Sequence, residues 1–142
     1  MTKLPPTARS LPIVLLRARE SVMAPIRQML ADSGVTEQQW RILRVLAEHG
    51  PLDASSVAER ASLLFPSLTR TATSMRNRGL ISQSQDPNDR RRQVLQITDE
   101  GQAVIDKNLP DALRISADYK ARLGPDNYAL LLELLNKLSD DN

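Results

Sequence analysis

The chain has 142 residues, with 19 Lys and Arg against 17 Asp and Glu, one His and no Cys. This length fits one domain, or a small module with helical extensions, and it can bury a core without disulfides. The lack of Cys excludes disulfide frameworks, Cys-ligated zinc and thiol nucleophiles, and one His provides no His cluster for a metal. No apolar run approaches the ~18 residues of a membrane span. We therefore expect a soluble cytoplasmic protein that has no membrane contact, metal or cofactor and is not an enzyme.

The formal net charge of +2 is unevenly distributed along the chain. Residues 1–69 carry +2, residues 70–98 carry +4 and residues 99–142 carry −4. All the basic residues of the central block are arginines, whose planar fork of donors suits phosphates and guanine edges. Taken alone, such a cluster is explained equally well by a solvated surface.

The N-terminal segment changes character at Leu11. Residues 1–10 contain two prolines and no periodicity, which indicates a flexible arm. From Leu11 onward apolar residues recur at helical spacing up to the turn at residues 32–34. Pro25 falls inside this pattern, and we expect it to kink the helix rather than end it.

A capping box at Thr36 and Gln39 opens a second helix, since each side chain can bond the other residue's backbone N–H. The helix ends at Gly50 and is expected to bury Trp40, Leu43, Leu46 and Ala47. Leu52 is then expected to make a brief strand contact before Asp53 caps a short helix at residues 54–60.

The next helix starts at Pro66 and ends at Gly79, as favoured for these residue types. Its apolar face packs inward through Leu68, Ala72 and Met75. The opposite face has several hydrogen-bond donors and no large apolar residue, as a surface facing a DNA groove requires. Its candidate contacts to bases and phosphates are Ser67, Thr69, Arg70, Thr73, Arg76 and Asn77.

After Gly79 the period changes to that of strands, at residues 80–85 and 93–97. The turn between them carries Arg90, Arg91 and Arg92 at its tip. An arginine on such a narrow projection can enter the minor groove, and Asp89 is placed to hold the Arg91 guanidinium extended. The alternative is a charged surface turn whose Asp and Arg residues pair only with one another.

These elements predict a winged helix-turn-helix in a mainly α protein with a small β-hairpin wing. We expect the DNA-binding domain to span residues 35–98, and residues 11–34 and 99–142 to form a helical dimerisation region. The last helix is rich in leucine and has more apolar surface than a winged helix covers, although such a stripe is often plain core. A symmetric homodimer would bind double-stranded DNA at a pseudo-palindromic operator.

Residues 36–101 resemble the MarR family of bacterial transcriptional regulators. The resemblance is carried by the helix end at residues 75–81, the wing at 86–92 and the closing strand with its Thr-x-x-Gly at 93–101. In that family the Arg of the wing's Asp-x-Arg enters the minor groove, which implies this role for Arg91 after Asp89.

Residues 15–23, 36–43 and 66–69 are similar to the branch of the family that represses homoprotocatechuate (hydroxyphenylacetate) catabolism. This similarity implies that aromatic carboxylic acids are the effectors. Phe65 stands where an arginine is expected in that branch, so the operator sequence is expected to differ.

An aromatic acid needs a fixed arginine for its carboxylate and flat apolar walls. The candidates for this ligand site are Arg19, Met23, Trp40 and Arg41. The alternative is that Arg19 pairs with a glutamate, either Glu20 or one from the partner subunit, and that Trp40 belongs to the core.

The sequence therefore predicts a cytoplasmic, nucleoid-associated repressor that an aromatic acid releases from its operator. The alternative function is a winged-helix protein-interaction module without a specific DNA site.

Overall fold

The computed structural model describes residues 3–140. The chain divides into a helical unit, with residues up to 28 and from 110 onward, and a winged-helix unit of residues 29–109. These boundaries differ from those expected at residues 34 and 99. The winged-helix unit is larger because Met29 and Leu30 belong to its core and because Asn108 donates a 2.9 Å hydrogen bond to Ser33 Oγ.

The helical unit draws on three helices, α1 (Leu11–Leu30), α5 (Asp99–Leu123) and α6 (Pro125–Ser139). Helix α1 continues through Pro25, as expected. The expected irregular arm contains a 3-10 helix at Thr7–Arg9, closed by a 2.8 Å bond from Arg9 N to Pro6 O. Met1 and Thr2 of that arm lie outside the described residues.

The winged-helix unit contains the end of α1 and the start of α5, together with a 3-10 helix at Ala31–Ser33, three further α-helices and three strands. The sheet is antiparallel, with the strand Gln93–Ile97 in the middle between Leu52–Asp53 and Ile81–Gln85. The brief strand contact expected at Leu52 is confirmed by its pairing with Leu95. This architecture confirms the predicted mainly α fold with a hairpin wing. The additional elements are α2 (Glu37–His49), β1 (Leu52–Asp53), α3 (Ala54–Arg60), α4 (Phe65–Asn77), β2 (Ile81–Gln85) and β3 (Gln93–Ile97).

The core of the winged-helix unit is built around α2. The capping box at its start is present, with Thr36 N to Gln39 Oε1 and Gln39 N to Thr36 Oγ1 both at 3.1 Å. Helix α2 packs against α3, α4 and β3, so its buried arc is wider than a single helical stripe and includes Ile42 and Val45. Ala47, which was expected to be buried, lies on the remaining exposed side.

The start of α5 is locked against the turn that follows α4. Thr98 Oγ1 donates to the carbonyl of Gly79 at 2.6 Å and accepts from Gly101 N at 3.1 Å. A Cβ added at Gly101 would lie 2.2 Å from the Leu80 carbonyl oxygen and 2.8 Å from Ile97 Cγ1. The Thr-x-x-Gly motif therefore fixes the base of the hairpin against α5, and only glycine fits this close approach.

Candidate nucleic-acid interface

Helix α4 divides into an inner and an outer face as the sequence predicted. Leu68, Ala72 and Met75 are buried. The predicted outward side chains of Arg70, Thr73 and Asn77 are exposed, together with Thr69 and Arg76, whereas Ser67 is half-buried. Within residues 3–140 no hydrogen bond or ion pair engages the Arg70 guanidinium. Arg70 is therefore available to an external acceptor.

Thr69 and Thr73 do not offer the free donors that the sequence suggested. Thr69 Oγ1 donates to the carbonyls of Phe65 and Pro66 at 3.1 and 3.0 Å. Thr73 Oγ1 donates to the Thr69 carbonyl at 2.9 Å. Because a hydroxyl has one proton, each threonine retains only its acceptor lone pairs and its methyl group for a partner.

Arg76, expected to contact DNA, is directed to the hairpin in this structure. Its Nη1 donates to Gln83 Oε1 at 2.6 Å, and Gln83 Nε2 in turn donates to Gln93 Oε1 at 3.1 Å. This chain of side chains ties α4 to β2 and β3. The two glutamines were not predicted, because their contact depends on the strand register, which pairs Gln83 with Leu95 and Gln85 with Gln93.

The wing presents one arginine in a fixed, extended position. Asp89 Oδ1 accepts from both Arg91 N at 3.0 Å and Arg91 Nε at 3.1 Å, and Oδ2 accepts from Nη2 at 3.3 Å. The Arg91 side chain is nevertheless 91% exposed. Its hydrogen bond holds the pKa of the Asp89 carboxyl below the usual range, so the carboxylate stays ionised at neutral pH. Arg90, beside it, is also exposed, and its carbonyl accepts from Gln85 Nε2 at 2.9 Å.

Arg92 points back to the protein instead of outward. Its Nη2 lies 3.2 Å from Asp53 Oδ1. Asp53 also caps α3, accepting from Ser56 N at 3.2 Å and from Ser56 Oγ at 2.7 Å. The hydrogen bond from the Ser56 hydroxyl, with further help from Arg92, lowers the pKa of Asp53. The sequence identified the cap but not this ion pair, which joins the wing to α3.

The lowered pKa of Asp53 predicts how the stability of the protein depends on pH. Since the pKa in the folded state lies below the unfolded-state value of about 3.9, ionised Asp53 stabilises the fold fully above that value. This stabilisation is lost as the pH falls below about 3.9 and through the folded-state pKa. Asp53→Asn keeps a capping oxygen but loses the charge, so we expect it to lower the free energy of unfolding by about 0.5–1 kcal/mol at pH 7. Urea unfolding should show this difference shrinking between pH 7 and pH 3.

The matched control is Asp118→Asn, at an exposed position of α5, which should change the unfolding free energy little at either pH. A deficit for Asp53→Asn that is the same at both pH values would contradict the assignment.

A cleft of about 270 Å³ lies between α4 and the hairpin. We call it the α4–hairpin cleft. It brings together side chains that were predicted separately on the helix and on the wing. Its lining includes Asp53, Phe65, Thr69, Thr73, Arg76, Gln83, Arg91, Arg92 and Gln93.

A second cleft of about 280 Å³, which we call the arginine cleft, lies between α2 and the end of α3. Its main side chains are Trp40, Arg41, Arg44, Glu48 and Arg60. The Nε–H of Arg41 is buried and has no hydrogen-bond partner within the described residues. Leaving such a donor unsatisfied costs about 1–3 kcal/mol, which an anionic acceptor would offset.

The four predicted ligand residues fall into both units. Trp40 and Arg41 line the arginine cleft. Trp40 is also buried, which agrees with the alternative that it belongs to the core. Arg19 and Met23 belong to α1 in the helical unit. The structure pairs Glu20 with Arg27 at 3.0 Å, and this contact lowers the pKa of the Glu20 carboxyl. The charge of Arg19 also lowers the pKa of Glu20, and the alternative that Arg19 pairs with a glutamate stays a prediction.

The helical unit leaves much apolar surface uncovered. No described residue of α6 is buried, and its leucines at 130, 131, 132, 134 and 138 are exposed. An apolar cavity of about 460 Å³ is lined by residues of α1, α5 and α6, including Val22, Tyr119 and Leu132. The Tyr119 hydroxyl donates to the Val22 carbonyl, and burial raises its pKa. The structure thus agrees with the prediction that the last helix has more apolar surface than a winged helix covers.

Across residues 3–140, every helix is too short or too polar to cross a membrane.

Comparison with known proteins gives concordant matches. A model of the MarR family matches residues 35–92. The chain is 36% identical over 130 residues to the HTH-type transcriptional regulator FarR of Neisseria gonorrhoeae, covering 92% of this chain and 89% of FarR. It is 43% identical over 98 residues to the homoprotocatechuate degradative operon repressor of Escherichia coli, covering 69% of this chain and 66% of that repressor.

A solved structure supports the same relationship. The crystal structure of NadR in complex with 4-hydroxyphenylacetate superimposes with a TM-score of 0.85 at 33% identity, over 99% of this chain and 100% of NadR. The winged-helix fold and the resemblance to the branch that represses homoprotocatechuate catabolism are confirmed.

Proposed function

The chain belongs to the MarR family of transcriptional regulators, and we propose that it represses genes of aromatic-compound catabolism until an aromatic carboxylic acid releases it from its operator. Regulators of this family are DNA-binding dimers with small-molecule effectors. The observation that carries the proposal is that the exposed Arg70 on α4 and Arg91 on the wing, which Asp89 holds in place, are both presented to solvent. Such a regulator acts in the cytoplasm on the nucleoid.

We assign the DNA contacts by chemistry and exposure. Helix α4 enters the major groove, where Arg70 donates to guanine O6 and N7. Arg91 enters the adjacent minor groove, and Arg90 contacts phosphate. The remaining predicted contacts, Ser67, Thr69, Thr73 and Asn77, serve as acceptors, methyl contacts or phosphate donors, whereas Arg76 supports the geometry by tying α4 to the hairpin.

Dimerisation is assigned to α1, α5 and α6. A monomer would leave the leucines of α6 and the 460 Å³ apolar cavity in water. Burying apolar surface contributes about 25 cal/mol for each Å², so a second copy is the favoured cover for this unit. The dimer places two α4 helices on half-sites about one helical turn apart.

The effector site is assigned to the arginine cleft. The buried Nε–H of Arg41 has no acceptor among residues 3–140, Arg44 and Arg60 add positive charge, and Trp40 supplies a flat apolar wall. A carboxylate with an aromatic ring matches all three features. Release then follows from linkage, since an acid that binds the DNA-free dimer more tightly must weaken DNA binding by the same factor.

The function is tested by selecting bound duplexes from random sequences and then measuring release by fluorescence anisotropy. We expect an inverted repeat to be enriched. We also expect 4-hydroxyphenylacetate or homoprotocatechuate to release the protein, while 4-hydroxyphenylethanol, which has the ring but no carboxylate, does not. Selection that enriches no sequence would contradict the proposal and favour a protein-interaction module.

The Arg41 assignment gives a separate prediction. Arg41→Met keeps most of the side-chain volume but removes the donors, so it should leave operator affinity unchanged. The concentration of acid needed for release should rise by about 10- to 100-fold, as expected for the loss of hydrogen bonds to a charged group.

Thermal unfolding should show that Arg41→Met is as stable as the wild type or more stable, because a buried unsatisfied donor is removed. The matched control is Arg17→Met, at an exposed arginine of α1, which should release normally. If Arg41→Met responds to the acid like the wild type, the carboxylate is held elsewhere.

A further inference from the structure

The geometry points to Phe65 as a residue that reads thymine methyl groups in the operator, an inference that rests on the proposed DNA-binding function. Phe65 is the first residue of α4 and the only phenylalanine in the chain, and it is 49% exposed. Residues in the first turn of a recognition helix contact base edges. An aromatic ring has no hydrogen bond to offer there, and the apolar group on a base edge in the major groove is the thymine C5-methyl.

The surroundings of Phe65 extend this apolar character along the helix. Thr69 lies one turn further on, and its hydroxyl proton is committed to the carbonyls of Phe65 and Pro66. Its methyl group and acceptor lone pairs are what it retains for DNA. The first two turns of α4 therefore carry a strip that suits a methyl group, beside Arg70, which suits guanine.

The position of Phe65 is continuous with the basic surface of the wing. Phe65 lines the α4–hairpin cleft together with Thr69 and Arg91. Leu64, directly before it, is 78% exposed but does not line this cleft. An exposed aromatic ring therefore lies beside a positively charged surface. The matching partner is a polyanion that has apolar groups in a groove, and duplex DNA is such a polyanion. Leu64 then serves as the matched control.

The test uses the duplex enriched by selection, with each thymine replaced in turn by deoxyuridine, which lacks only the methyl group. The replacement is made symmetrically in both half-sites. Wild-type protein should lose affinity at one position by about fourfold for each half-site, the value expected for one buried methyl group. Phe65→Ala should bind the thymine and deoxyuridine duplexes equally at that position, and Leu64→Ala should still distinguish them.

Circular dichroism melting should show that both variants fold, because neither side chain is in the core. The inference is overturned if Phe65→Ala keeps the wild-type sensitivity to deoxyuridine, or if the wild type has no sensitive position. It is also overturned if Phe65→Ala changes release by the aromatic acid but not thymine dependence, which would place the ring in a ligand site. Failure to enrich any duplex would overturn the proposed DNA-binding function and this inference together, whereas the other results affect Phe65 alone.

Discussion

Arg91→Ala is expected to weaken operator binding by about 1–2 kcal/mol for each wing, or roughly 5- to 30-fold, while leaving the melting temperature unchanged. The side chain is 91% exposed, so its removal costs the fold little. On DNA it would face the minor groove, where the negative potential is strongest. Because its loss removes a cationic contact, the dependence of log K on log salt should become shallower by about 1 for each wing.

Asp89→Ala tests whether Asp89 acts on operator binding through its negative charge or by positioning Arg91. Removing a carboxylate near DNA should strengthen binding if only Coulomb repulsion matters. If Asp89 instead holds the Arg91 guanidinium extended through its contacts at 3.1 and 3.3 Å, its removal should weaken binding despite the gain of positive charge.

Anisotropy measurements on the selected duplex distinguish these results. The control is Lys137→Ala, which removes one positive charge, as Arg91→Ala does, but lies outside the winged-helix unit. Its affinity for the selected duplex should be within about twofold of the wild-type value. Wild-type affinity for Arg91→Ala, or tighter binding by Asp89→Ala, would refute the assigned role of the wing.

Gly101→Ala is expected to destabilise the folded protein by about 1–3 kcal/mol, the usual cost of overpacking. Alanine normally stabilises a helix relative to glycine by about 1 kcal/mol, so the expected sign is opposite to that of helix propensity. The added Cβ would lie 2.2 Å from the Leu80 carbonyl oxygen, and backbone cannot yield as a flexible side chain does. Since Thr98 and Gly101 anchor the base of the hairpin, operator affinity should fall as well.

Urea unfolding monitored by circular dichroism measures the Gly101 effect. Lys107→Ala, at an exposed position of the same helix, is the control and should be nearly neutral or slightly stabilising. A Gly101→Ala variant that is as stable as the wild type would mean that α5 does not approach the Leu80 carbonyl so closely in solution.

Local signals in the sequence were sufficient for most of the fold. The capping box at Thr36 and Gln39, the helical spacing in α4 and the change of period after Gly79 each depend on neighbouring residues. The Asp89–Arg91 contact could also be predicted from the sequence, because residues two positions apart in a tight turn lie close together in any hairpin. These features need no knowledge of how distant segments pack.

The remaining parts of the site depend on packing between distant segments. Arg76 and Gln83 meet only because α4 lies against β2, and Arg92 meets Asp53 only because β1 pairs with β3. The sequence does not indicate either pairing, since each arginine has several other polar residues near it in the chain that it could contact. Likewise, Ala47 follows the helical stripe but lies on the one side of α2 that its neighbours leave open.

The salt dependence of binding to the selected duplex and to a scrambled duplex of the same composition tests the central claim most directly. A sequence-specific winged-helix repressor should bind the selected duplex at least about 10³-fold more tightly and show a steep fall of log K with log salt. Equal affinity for the two duplexes, or no binding even at low salt, would contradict the claim.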